Sequence, residues 1–212
     1  MMVSMRDATA AAKVLGPHDA AIVLGSGWKD AVSELPRAGE DVLLSFRHLD
    51  AVYLIDRKSG AVVWKLGGTS SAKSLAIRGD TRPTPLDGQH DARLLADGDV
   101  TVHDNSTFSG GPPRMARYRI DAAKRTATLV QQIVDPAVTA SSCCGSARTL
   151  PDSDVLIDWG STSTIGEYSA KGAPVLRLTF ASGFSYRATP VPLGTVTLQQ
   201  IRAGMNQMAA RS

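Results

Sequence analysis

The sequence has little with which to cross-link itself: 212 residues contain two cysteines, and these, Cys143 and Cys144, are neighbours. Adjacency excludes an ordinary loop-closing disulfide, and a bridge between them would be strained. Zinc would need further ligands nearby, and residues 141–148 supply none. The pair reads as small, buried or half-buried turn residues, with a redox role as the alternative. No window approaches the roughly 18 consecutive apolar residues of a membrane span. The N-terminus lacks the basic, then apolar, then small-residue order of a signal peptide, so a cytoplasmic location is expected. The formal charge is only +3, and Lys and Arg are scattered among acids. That pattern argues for a solvated surface and against a nucleic-acid or membrane-surface partner. No metal or cofactor is expected. With 43% hydrophobic residues, the chain can bury about 70% of its unfolded surface if it packs as one unit.

What is present is a repeat. His90-Asp91-Ala92-Arg93-Leu94 through Val100 matches Gly145-Ser146-Ala147-Arg148-Thr149 through Val155 at an offset of 55 residues. Each copy leads into a hairpin, Met115 to Gln132 turning at 121–124 and Thr164 to Phe180 turning at 169–172. An earlier copy starts at Leu35 and continues through Ala51 to Leu66, turning at 56–60. Alternating apolar strands joined by tight Asp- and Gly-containing turns are what antiparallel pairs require. The expected fold is therefore all-β, a partial β-propeller of about three four-stranded blades. The second copy carries a histidine where the third has glycine, which makes His90 a candidate for chemistry.

Residues 1–32 stand outside the repeat. A helix capped by Ser4 and Asp7 is expected through Leu15, then a buried strand Ala20–Leu24, a Gly25-Ser26-Gly27 turn and a helix opening at Trp28. Free backbone N–H groups at such a turn form an anion site. His18 through Trp28 resembles the start of purine nucleoside phosphorylases. That resemblance implies phosphate binding by Ser26; read alone, Ser26 is a turn residue.

From about residue 33 the chain resembles the bacterial arylsulfotransferase family. The matching blocks are Ser45 to Tyr53, Val63 to Gly68, Gly88 to Arg93, His103-Asp104-Asn105, Cys143 to Arg148 and Ser185 to Ala188. The resemblance implies a propeller that moves a sulfuryl group from a phenolic sulfate ester to a phenol, with those two small molecules as partners. It also implies that His90 forms a transient sulfohistidine. The residue chemistry agrees: neutral imidazole attacks an anionic ester without charge repulsion. Arg47 is the candidate fork for the sulfuryl oxygens, and His48 the candidate acid and base for the phenols. Asn105 is expected to orient His90 or bind substrate. His103 reads as structural, and Arg93 and Arg148 as repeated scaffold residues pairing with turn carboxylates. Arg47 and His48 can share a site only if they sit in a loop, since consecutive strand residues face opposite sides.

The pattern also departs from that family. The arginine some members carry soon after the Trp-x-Leu block is missing at 67–71, and upstream blades with a further histidine give way to the phosphorylase-like segment. Three blades leave sheet edges exposed, so impaired activity, or a homo-oligomer that covers the edges, is expected. A non-catalytic fragment or interaction module is the alternative. The domain reading is 1–32, 33–190 and a tail, 191–212. Thr197 and Gln200 have capping-box spacing, and Leu198, Ile201, Met205 and Met208 recur helically. A short amphipathic helix packed outside the propeller is expected there.

Overall fold

The structure is a computed structural model, and it describes residues 41–191 and 195–209. The N-terminal helix, strand and Gly-Ser-Gly turn, with Ser26, lie outside the described residues.

Three sheets carry the chain. The first joins β1 (Val42–Phe46), β2 (Ala51–Ile55) and β3 (Val62–Gly67) in that order. The second joins β4 (Ala76–Arg78), β8 (Thr126–Ile133), β7 (Arg114–Asp121), β6 (Val100–Asp104) and β5 (His90–Leu94). The third joins β12 (Pro174–Thr179), β11 (Thr164–Tyr168), β10 (Val155–Asp158) and β9 (Ser146–Thr149). Within each sheet, sequence neighbours pair antiparallel. The described residues are thus mostly β, with no closed barrel among the sheets.

The 55-residue offset lands on equivalent strands, β5 and β6 in one copy and β9 and β10 in the next. Two features differ from the sequence reading. The first sheet shows three strands among the described residues, which begin at residue 41. The second has five: β4 adds parallel to the outer edge, Ala76 lying opposite Thr126.

Alternation builds the core. On the first sheet Val52 lies opposite Leu66 and Leu54 opposite Trp64. On the second, Val100 lies opposite Tyr118 and Val102 opposite Ala116. These eight residues form one buried cluster, so the two sheets pack face to face. The other face of the second sheet offers Met115 and Ile133, which cluster with Ala147, Val155, Ile157 and Trp159 of the third sheet and its approaches. The second sheet is the middle layer, and all five residues of β6 are buried. Full burial of each large apolar side chain is worth roughly 1.5–3 kcal/mol. Among the described residues nothing comparable covers the outside of the third sheet, and all six residues of β12 are exposed.

The C-terminal helix, α1 (Leu198–Ala209), forms with the expected reciprocal cap: Gln200 N–H donates to Thr197 Oγ1 and Thr197 N–H to Gln200 Oε1. Its expected packing is corrected. Leu198, Ile201 and Met205 are 63%, 45% and 63% exposed. Local signals start a helix, but they do not supply a surface for its apolar stripe.

Candidate functional site

The segment between β1 and β2 is a single 3-10 turn, Arg47–Leu49, closed by Asp50 in the left-handed conformation. The two candidates there are in a loop, as required, but successive residues of a 3-10 turn diverge by about a third of a revolution. Arg47 points toward the second and third sheets. Its guanidinium donates to Ser142 O at 2.9 Å and to Thr107 Oγ1 at 3.3 Å, and it lies 5.6 Å from the Phe108 ring centre. His48 is exposed and lines a separate cavity of about 550 Å³ with Tyr53, Lys65, Thr69 and Leu86. Arg47, His90 and Asn105 are not in that lining.

His90 opens β5, opposite His103 of β6, at a bulge where Asp91 takes φ +51°. A bulge re-aims the side chain beside it. Nδ1 lies 2.7 Å from Asn105 Oδ1 and 3.1 Å from Gly88 O. The Asn105 amide is oriented by its other end, since Nδ2 donates to Ser141 Oγ at 2.9 Å and to Cys144 O at 3.1 Å. With both neighbours of Nδ1 acceptors, Nδ1 carries the proton and Nε2 the lone pair. Nε2 accepts the Cys144 N–H at 3.1 Å. Burial, reinforced by the positive charges of Arg47 and Arg187, holds His90 below the usual imidazole value, against the hydrogen bonds it donates to Asn105 and Gly88. It is neutral at neutral pH.

The backbone around this histidine is crowded. Gly88 has φ +66°, and a Cβ there would come within 2.5 Å of Thr107 Oγ1. Gly145 has φ +96°, and a Cβ there would lie 2.7 Å from both His103 Cε1 and Asp158 O. These glycines let three segments converge on His90.

Beneath lies a charge network that sequence reasoning missed. Arg114, 1% exposed, donates to Asp80 at 2.7 and 3.1 Å, to Asp104 at 3.1 Å and to Gln132 at 3.0 Å. Asp104 Oδ1 in turn accepts the N–H groups of Asp87 and Ser106 at 3.0 and 3.2 Å. One carboxylate thereby fixes the chain just before His90 and just after Asn105. Asp91 is a second hub: Arg148 lies 2.9 Å, Arg93 3.4 Å and Arg187 3.9 Å from it. Arg93 and Arg148 do pair with a carboxylate, but it is this strand residue and not one in a turn. Burial pushes Asp91 up to about 6, opposed by Arg93 and Arg187, so it is ionised at neutral pH and keeps the arginines gathered beside His90.

His103 is fully buried, with its ring against Trp159 at 5.8 Å. Burial drives it down to about 3, so it is a neutral wall residue, as its position within a strand implied. Cys143 is half-buried and Cys144 buried. Among the described residues no group of three or more His, Cys, Asp or Glu could hold a metal ion, and no helix is long and apolar enough to cross a membrane. The arrangement offers a neutral imidazole with a set tautomer, an arginine fork close by, and backbone donors around both.

No curated protein matches the chain. Among solved structures, a protein of unknown function from Bacteroides caccae is similar at 13% identity with a TM-score of 0.45, covering 73% of this chain. The match takes in 47% of that structure, so the chain spans about half its length. The family model described as Arylsulfotransferase (ASST) matches residues 21–181, beginning upstream of the change to repeat pattern near residue 33. That stretch is well over half the sequence and includes all three described sheets, and the chain belongs to the arylsulfotransferase family.

Proposed function

We propose that the three sheets are blades of a β-propeller and that the chain transfers a sulfuryl group between phenols through His90. The observation that carries this reading is the state of the imidazole: neutral, with Nδ1–H held by Asn105 and the lone pair on Nε2. Nε2 attacks sulfur of an aryl sulfate, the bond from sulfur to the aryl oxygen breaks, and the phenolate leaves with that electron pair. An acceptor phenol then attacks the same sulfur, the N–S bond breaks toward Nε2, and the phenolic proton passes to solvent or a base. Arg47 supports the sulfuryl oxygens as charge redistributes. His48 lies in the neighbouring cavity and is given no step. Aryl sulfate and phenol are the proposed partners, together with a second copy of the chain across the uncovered third sheet.

A non-catalytic binding module is the second reading, and the exposed β12 face favours it. One experiment separates the two. Incubated with an aryl sulfate and no acceptor, the folded chain gains one sulfuryl group, seen by intact mass under non-acidic conditions, and His90→Asn does not. A folded chain that stays unlabelled sinks the transferase reading and leaves the module.

A further inference from the structure

The adjacent cysteines are the nucleophilic side chains that the proposed reaction leaves unused, and they share the peptide that touches the nucleophile. That peptide's N–H, on Cys144, donates to His90 Nε2 at 3.1 Å. Its carbonyl, on Cys143, accepts Ser161 N–H at 2.9 Å and Ser141 Oγ at 3.3 Å. Cys144 has φ +66°, and the two sulfurs lie 2.7 Å apart as thiols. The turn that places the N–H on Nε2 is therefore the same turn that brings the sulfurs together. A sulfuryl group on Nε2 would occupy the position of that N–H, so the peptide must move before His90 can attack.

We propose that Cys143 and Cys144 form a thiol–disulfide modification site, whose closure holds the Cys144 N–H on His90 Nε2 and so blocks sulfuryl transfer until the bond is reduced. The blocking effect rests on the reading of His90 as nucleophile. The oxidant is a low-molecular-weight organic disulfide. The Cys143 thiolate, on the more exposed residue, attacks one of its sulfurs, forms a mixed disulfide and expels one thiolate. Cys144 then attacks the Cys143 sulfur, forms the vicinal bond and expels the second thiolate. Two protein thiols are oxidised, one small disulfide is reduced to two thiols, and the two protons go to the departing thiolates. Cys144 is buried, with its thiol pushed up to about 12 by burial and by the neighbouring Cys143, so Cys143 reacts first. The sulfur separation makes the second step intramolecular. A bond across the turn restrains the peptide between the residues, whereas in the dithiol only hydrogen bonds, to His90, Ser161 and Ser141, oppose its rotation away from Nε2.

The whole chain is treated with bis(hydroxyethyl) disulfide, then divided, and one half is reduced with a phosphine. Both halves are followed by intact mass, by His90 sulfuryl labelling and by the ring-nitrogen NMR signal of His90. The expected oxidised product has lost the mass of two hydrogens and retains no adduct. Its labelling falls by about tenfold or more, the scale of one retained hydrogen bond to the lone pair, and the phosphine restores it. Cys144→Ser traps the mixed disulfide at Cys143, and in Cys143→Ser labelling no longer depends on the oxidant. A native chain that only keeps the adduct overturns the proposal, as does one that loses two hydrogens while labelling and the His90 signal stay unchanged. If the reduced chain is never labelled, the nucleophile reading fails instead. The His90 signal then decides whether closure still fixes the N–H on Nε2: a signal that moves on oxidation supports it, and an unmoved signal overturns it.

Discussion

His103 makes the acid limb of stability measurable at one residue. In the folded chain its ring is fully buried against Trp159, neither ring nitrogen makes a hydrogen bond of good geometry among the described residues, and the nearby Asn105 side chain only partly offsets the cost of charging it. Its folded value is driven down to about 3 from the ordinary 6.5, first by burial and then by His90. The unfolded chain therefore binds a proton below pH 6.5 that the folded chain refuses. The folded state loses stability as pH falls from that point until about pH 3, with a slope of about 1.4 kcal/mol per unit. Two units of acidification, to about pH 4.5, cost roughly 2.7 kcal/mol through this group alone. His103→Leu removes the titration while keeping an apolar side chain against Trp159. Asp91, Asp104 and Asp158, which burial raises, tilt stability the opposite way, but they are common to both proteins and cancel in the difference. Urea unfolding at about pH 7.5 and about pH 4.5 gives that difference directly. The expected result is that the leucine variant loses about 2–3 kcal/mol less than the native chain over this interval. A constant offset between the two curves would refute the reasoning, because it would mean that His103 is solvated or hydrogen-bonded in the folded state.

Two further predictions concern the scaffold of the site. Asn105→Ala leaves His90 Nδ1–H with Gly88 O at 3.1 Å as its remaining partner, and it deprives Ser141 Oγ and Cys144 O of a donor. Sulfuryl labelling of His90 is expected to fall about ten- to a hundredfold while the chain stays folded; full labelling would show that Asn105 does not set the tautomer. Arg114→Met leaves Asp80 and Asp104 buried without their shared cation. Breaking one partner of a buried ion network costs about 3–5 kcal/mol, read as a shift in the urea midpoint, and a loss below about 1 kcal/mol would show that the network contributes little.

The parts of this protein that were legible in its sequence are those encoded locally. The copy at 90–100 and the copy at 145–155 became β5–β6 and β9–β10, because alternation and turn residues act over a few positions. The turns at 121–124 and 169–172 and the cap of α1 have the same origin. Motif blocks singled out Arg47, His90 and Asn105, but it is the fold that brings Asn105 onto His90 and the charge of Arg47 within its reach. What was not legible is non-local or has no letter. Arg114 meets Asp80 across 34 residues, and nothing at either position marks the pairing. The Cys144 N–H is backbone, so no side-chain pattern announces it. His48 matched the motif as well as Arg47 did, yet a 3-10 turn sends adjacent residues in different directions, and only one of them faces His90.

These pieces bear on one another through Asp104. Its carboxylate is gripped by Arg114 and Arg82 on one side and by the N–H groups of Asp87 and Ser106 on the other. The segments it anchors are those that carry His90 and Asn105, so the geometry of the imidazole rests on a buried charge network that touches neither ring nitrogen. Burial there has two consequences of opposite value. It keeps His90 neutral, which the proposed attack on an anionic ester requires, and it makes the surrounding ion pairs costly to disturb. A site built this way tolerates little movement of its walls, and the Cys143–Cys144 turn is the part of it held by hydrogen bonds, from Ser161, Ser141 and Asn105 and to His90, and not by an ion pair. Motion that frees Nε2 therefore belongs to that turn, while Asn105 and Asp104 hold the ring in place.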